Sequence, residues 1–190
     1  KMKIISLASD QPALIQQAAQ LLVDAFKDHS PEAWPTLADG LTEVNEMLAD
    51  DRILRIALDE SETVIGWIGG IEQYDGHVWE FHPLVVKPGL QGNGIGCALV
   101  QDFEEQVRMR GALTVMLGTD DEDNRTSLSN TDLYVEPWKK ISEIKNFGRH
   151  PFEFYQKMGY CITGVVPDAN GVGKPDILMS KKPEKKIVKC

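Results

Sequence analysis

Residues 85–96 read Val85-Val86-Lys87-Pro88-Gly89-Leu90-Gln91-Gly92-Asn93-Gly94-Ile95-Gly96, and the reading of this stretch decides the fold. An apolar strand pattern over 78–87 is broken by Pro88-Gly89. A helical pattern over 95–110 starts almost at once, with Leu99, Val100, Phe103 and Val107 along its apolar side. Glycines at 92, 94 and 96 let the main chain approach a ligand closely, and successive N–H groups in such a turn point into one concavity. The helix that follows adds about half a positive charge at its N-terminus. The turn is therefore suited to a phosphate or pyrophosphate. It fits neither nucleotide fingerprint, because no Lys-Ser/Thr follows and the last glycine of the dinucleotide pattern would fall on Cys97.

Upstream of the turn the pattern predicts a strand over 3–8 and a helix opened by Ser9-Asp10-Gln11-Pro12 and running to about residue 28. A second helix fits 39–50 after the proline-bounded loop 29–35. Strands over 53–59 and 64–73 form a hairpin, and Asp75-Gly76 turns the chain into 78–87. Downstream, 113–118 suits a buried strand, 138–146 and 151–158 read as short helices, and strands over 160–167 and 176–180 flank a Gly/Asn/Pro loop at 168–175. The expected architecture is α/β, a single-domain mixed and mostly antiparallel sheet flanked by helices, over 1–180.

Length and composition agree with this. The chain has 190 residues, 42% hydrophobic and 26% charged, the balance of a globular domain. Its formal charge of -9 is uneven: residues 181–190 carry five lysines and one acid, so 181–190 reads as a basic C-terminal tail outside the domain. The acidic remainder repels nucleic acid and anionic membrane and attracts cations, so neither nucleic acid nor membrane is an expected partner. No run approaches the roughly 18 apolar residues of a membrane span. Cys97, Cys161 and Cys190 show neither metal-ligand spacing nor an even disulfide framework. No metal is expected, Cys97 and Cys161 read as buried packing residues, and a reducing, cytoplasmic setting is the simplest fit.

The motif Gln91-x-x-Gly94-x-Gly96 resembles the acetyl-CoA motif of the GNAT superfamily of N-acetyltransferases. Longer stretches are similar to the aminoglycoside 6'-N-acetyltransferases within it. They are Val64–Gly69, Trp79–Val86, Leu117–Glu122, Arg125–Ser129, His150–Tyr155 and Pro167–Gly171. The resemblance covers nearly all of 3–180. It implies the GNAT fold, acetyl-CoA as co-substrate, and transfer of acetyl to the 6'-amine of an aminoglycoside antibiotic by direct attack in a ternary complex, conferring resistance. Another small cationic amine such as a polyamine, or a non-catalytic acetyl-CoA sensor, is the alternative. Members of the superfamily often dimerise, so a homodimer enters as an expected assembly.

The resemblance also assigns residues. The pantetheine arm is expected to pair with Leu84, Val85 and Val86, with the N–H of Val85 or Val86 on the thioester oxygen, where one such donor contributes about 3 kcal/mol. The pyrophosphate is expected on Gln91, Gly92, Gly94, Ile95 and Gly96, with Asn124 a further cofactor contact. Tyr155 is placed as the donor to the leaving thiolate. A protonated amine cannot attack, so a carboxylate must take its proton. Asp120 and Asp121, in the acidic run 119–136, are the catalytic candidates, and strand alternation puts them on opposite sides. Glu80 and His82 share a strand face and leave the base open among Glu80, His82, Asp120 and Asp121. Trp34 and Tyr74 read as aromatic walls of the acceptor site. Glu136, and behind it Asp168 and Asp176, are further anionic candidates.

Overall fold

The computed structural model describes residues 2–184. Its strands form one mixed, mostly antiparallel sheet of seven in the order β1-β2-β3-β4-β5-β7-β6, flanked by helices. Here β1 is Lys3–Ser6, β2 Arg52–Leu58, β3 Val64–Gln73, β4 Val78–Val86, β5 Thr114–Asp120, β6 Cys161–Val166 and β7 Asp176–Lys181. The helices are α1 Pro12–Phe26, α2 Leu37–Glu46, α3 Ile95–Met109, α4 Pro137–Ser142 and α5 Phe152–Lys157. The expected single domain over 1–180 divides into two compact units, one up to Val115 and one of Met116–Lys182.

In the first unit the sheet buries both faces. Ile56, Leu58, Trp67 and Val85 pack with Ala18, Leu22, Val44 and Met47 of α1, α2 and the turn after α2. The Trp67 indole N–H donates to the Ala18 carbonyl at 3.0 Å, which satisfies a polar group inside that core. On the other face, a Cβ at Gly66 would lie 3.1 Å from side-chain carbons of Ile95 and Leu99, and one at Gly70 would collide with the Phe103 ring. Glycine at these positions sets how closely α3 approaches β3. Arg55 grips Asp102 through two bonds of 2.6 and 2.9 Å, joining β2 to α3.

Helix starts differ from the sequence reading. Neither Ser9 nor Asp10 caps α1; Gln11 is the N-cap, its side chain accepting Ala8 N–H rather than capping the helix, and Pro12 carries the start. For α2 the start lies earlier, at Leu37, because Thr36 and Asp39 form a reciprocal capping box. β3 and β4 are antiparallel, with a register shift opposite Gly69 that gives β4 an extra residue at His82-Pro83.

In the second unit, β6 and β7 pair antiparallel. Leu117, Leu128, Phe152, Met158, Ile177 and Met179 are all buried there. The long polar segment after β5 is ordered by hydrogen bonds rather than by regular structure, with Thr126 bridged to Asn146. Cys161 is exposed and its thiol free, contrary to the expected packing role. Cys97 is buried, as expected. Lys181 ends β7, so the fold takes in the first residue of the basic tail; residues 185–190 of that tail lie outside the described residues.

Candidate active site

The first unit carries the glycine turn. Gly92 has φ +80°, and a Cβ there would meet nothing within 4 Å, so the main chain is open to a ligand at that point. Gly94, at φ +81°, is the N-cap of the 15-residue helix α3, and no side chain caps it. Asn93 closes the turn through an Nδ2 bond to the Leu90 carbonyl at 3.1 Å. The arrangement presents a helix N-terminus and flanking amides without a protein side chain over them, which fits a pyrophosphate.

β4 leads into this turn, and its burial alternates. Before the bulge, Glu80 and His82 alternate with buried Trp79 and Phe81; beyond it Val85 is buried, and Leu84 and Val86 are half-buried on the opposite face from His82. Lys87 N–H donates to the Ile65 carbonyl at 2.9 Å, so alternate amides, 85 and 87, face β3. The Val86 N–H therefore points away from β3. Of the two donors expected for a thioester oxygen, this geometry leaves Val86 and turns Val85 toward its partner strand.

Two expected acceptor residues meet in the same unit. The Trp34 and His82 rings lie 5.7 Å apart, inclined at 42°. Phe26 backs Trp34 edge-on at 4.9 Å, and Glu43 accepts the indole N–H at 3.2 Å. Glu80 accepts from Gln73 Nε2 at 2.5 Å, so its carboxylate is oriented from the neighbouring strand. Tyr74 stands 72% exposed on the turn between β3 and β4. Gln73 and Glu43 were not singled out from the sequence, because nothing local marks a polar residue as the partner of one many positions away.

The second unit carries the acidic run, and alternation separates its first two acids. Asp121 is wholly buried. Its carboxylate accepts the main-chain N–H of Arg125 at 2.7 Å and of Thr126 at 2.8 Å, and the Ser129 hydroxyl as well. Burial works to raise its pKa, but these donors overcome burial and hold it below the ordinary carboxylate value. Asp121 is thus a loop organiser and a poor proton acceptor, which corrects its candidacy as a base.

Asp120 ends β5 and is exposed. Asn170 Nδ2 donates to its Oδ1 at 2.5 Å, and its main-chain carbonyl lies 2.9 Å from His150 Nε2. The next amide, Asp121 N–H, donates to the Pro175 carbonyl at 2.9 Å. Neither Asn170 nor His150 was a candidate from the sequence, although both stand in stretches that carried the resemblance. The loop bearing Asn170 is closed by Gly173 N–H to Asp168 Oδ1 at 2.7 Å, so Asp168 shapes that loop.

Other acids of the run are committed locally. Asp123 pairs with Arg125 at 2.6 Å, and Asp132 Oδ1 accepts the Tyr134 N–H at 3.0 Å. Asn124, at φ +59°, accepts from Asn130 Nδ2 at 2.7 Å, which ties it into the loop. Glu136 is an exposed N-cap of α4 in the left-handed region, at φ +49°. Tyr155 on α5 is buried, edge-on to Phe154 at 5.1 Å and to Tyr160 at 6.2 Å. Burial pushes its phenol far above the ordinary tyrosine range, so it stays protonated at neutral pH. Among the described residues no group of three or more His, Cys, Asp or Glu side chains is placed to hold a metal ion. No helix among them is long and apolar enough to cross a membrane.

An open glycine turn at a helix N-terminus, fed by a bulged strand, is the phosphate-and-pantetheine frame of an acetyl-CoA-dependent acyltransferase. The chain belongs to the acetyltransferase (GNAT) family, whose sequence model matches residues 15–130. It is similar, at 40% identity over 97% of its length and 99% of the other's, to an aminoglycoside 6'-N-acetyltransferase solved with coenzyme A, with a TM-score of 0.88. The 6'-N-acetyltransferase of Enterococcus faecium is also 40% identical over the same shares, with a TM-score of 0.86. A type Ii 6'-acetyltransferase is 33% identical over 97% of this chain and 99% of that one, with a TM-score of 0.71. Among curated proteins none matches the chain.

Proposed function

We propose that the protein transfers acetyl from acetyl-CoA to the 6'-amine of aminoglycosides by direct attack, and so protects a cell against these antibiotics. One observation carries the reading. The general family match ends at residue 130, yet 40% sequence identity to the 6'-N-acetyltransferases holds over 97% of the chain. It therefore takes in the segment bearing His150, Tyr155 and Asn170, which the acetyl-CoA motif alone does not require.

Bound at Gln91–Gly96, acetyl-CoA supplies an activated acetyl thioester. Gly92, Gly94, Ile95 and Gly96 hold its pyrophosphate with main-chain amides and the dipole of α3. Val86 N–H stabilises charge on the acyl oxygen. Asp120 takes up the amine's positive charge and receives its proton, directly or through water. Tyr155, kept protonated by burial, donates to the departing thiolate, which with a pKa near ~8.5 needs little help. Trp34 and His82 form an aromatic wall for a sugar ring, with Glu80 beside them as an anion for a second ammonium group.

The test is release of the CoA thiol with tobramycin, kanamycin and spermidine as acceptors. Turnover on the aminoglycosides, with the product acetylated at the 6'-position, is expected. Turnover on spermidine alone would replace the substrate with a polyamine, and binding of acetyl-CoA without turnover on any amine would replace the enzyme with a sensor.

A further inference from the structure

We propose that His150 is a positioning residue for acetyl transfer, its neutral imidazole pinning the peptide plane that carries Asp120. The inference rests on Asp120 serving the acceptor amine, as proposed above.

The tautomer follows from the partners. Phe152 N–H, at 3.2 Å from Nδ1, can only donate, so Nδ1 accepts and carries no proton. The proton is on Nε2, 2.9 Å from the Asp120 carbonyl, which can only accept. Burial of the ring lowers its pKa against the pull of Asp120 and Asp121, which keeps the neutral form needed for this pair of bonds.

The ring is itself held. His150 is 2% exposed, and its main chain exchanges two bonds with the Asn146 side chain: His150 N–H to Asn146 Oδ1 at 2.8 Å, and Asn146 Nδ2 to the His150 carbonyl at 2.9 Å. The Phe152 ring lies 5.8 Å from the imidazole. A fixed donor thus meets the Asp120 carbonyl.

That carbonyl and the Asp121 N–H belong to one planar peptide group. His150 bonds its oxygen, and the Pro175 carbonyl takes its N–H at 2.9 Å. With both sides of the plane fixed and β5 holding the chain before it, the direction of the Asp120 Cα–Cβ bond is set, and Asn170 holds the carboxylate beyond it. Loss of the His150 donor frees the plane to rotate at the point where the strand ends. A proton acceptor that is misplaced by a fraction of an ångström loses rate without loss of cofactor binding.

Two substitutions separate the two bonds. His150→Gln places an amide N–H near the Nε2 position and keeps the bond to Asp120. His150→Asn places an oxygen near Nδ1 and keeps only the bond to Phe152. The expected result is a kcat on tobramycin at least about tenfold lower for His150→Asn, with the acetyl-CoA KM unchanged, and a kcat within about threefold of the native enzyme for His150→Gln. Independently of activity, imidazole nitrogen NMR of the native protein is expected to show the Nε2–H tautomer at neutral pH.

Equal kcat values for the two variants, or an Nδ1–H tautomer, would overturn the inference. Should His150→Asn not fold, His150→Gln decides, and its loss of activity overturns the proposal. A native protein with the expected tautomer but no turnover on any amine would overturn the functional reading, and this role with it.

Discussion

Asn170 Nδ2 donates to Asp120 Oδ1 at 2.5 Å, across fifty positions of chain. One carboxylate oxygen is thereby held by a neutral amide, and the acid at the end of β5 has a set orientation before any substrate arrives. Asn170 reaches it from a loop closed on itself by Asp168 and Gly173, so the donor is not a wandering surface side chain.

Removal of that donor should cost rate rather than cofactor affinity. A hydrogen bond to a charged group contributes about 1.5–3 kcal/mol, and 1.4 kcal/mol is about tenfold. Asn170→Ala is therefore expected to lower kcat about tenfold or more while the acetyl-CoA KM stays put. Steady-state kinetics with both substrates varied check this, and a raised acetyl-CoA KM would show that the loop acts elsewhere.

Asp121→Asn should unfold more easily without a specific kinetic signature. The amide would set its own N–H groups against donors from Arg125, Thr126 and Ser129, at a cost of roughly 2–4 kcal/mol. Because the folded pKa of Asp121 lies below its ordinary value of 3.8, its contribution is full above that value and is lost as pH falls through the folded one. Urea unfolding should show a smaller acid-induced loss below pH about 4 for the variant than for the native chain.

His150 carries the opposite charge type and the same sign of dependence. Its folded pKa is lowered from 6.5, so the unfolded chain binds the proton more readily. Its contribution to stability is complete above that ordinary value and falls as pH drops below it. Urea midpoints between pH 7 and pH 5 should decline in the native protein and decline less in His150→Gln. Equal slopes would show that this ring does not titrate on unfolding.

At the glycine turn, Gly92→Val adds a side chain where only open space is found and asks it to adopt φ +80°. Left-handed backbone costs a branched residue upwards of about 1 kcal/mol, and the methyls cover the amides. Calorimetric titration should give CoA binding weaker by about tenfold or more, with aminoglycoside binding little changed.

A substitution at Trp34 should divide the other way. Trp34→Ala removes the ring beside His82 and the partner of Glu43, so the aminoglycoside KM should rise by about tenfold while the acetyl-CoA KM holds. A rise in both would place Trp34 in the core alone.

Local pattern was enough to give the strands and helices, since apolar period and turn residues are written in neighbouring positions. Val64–Gln73 matched its strand residue for residue, and α3 began where the glycine turn ends, at Ile95. The glycine motif fixed the class of ligand for the same reason: its chemistry lies in consecutive amides. Alternation also put Asp120 and Asp121 on opposite sides. What alternation does not contain is which side is wet, and that depended on Arg125, Thr126 and Ser129 closing around one acid. The roles of Asn170 and His150 depended on folding as well, because a hydrogen bond between residues thirty or fifty positions apart leaves no mark on local periodicity. The sequence by itself determined the sheet, the cofactor turn and the supply of acids. Only the tertiary structure decided which acid is locked inside a loop and which stands exposed at the end of its strand, since that choice is made by donors brought from other parts of the chain.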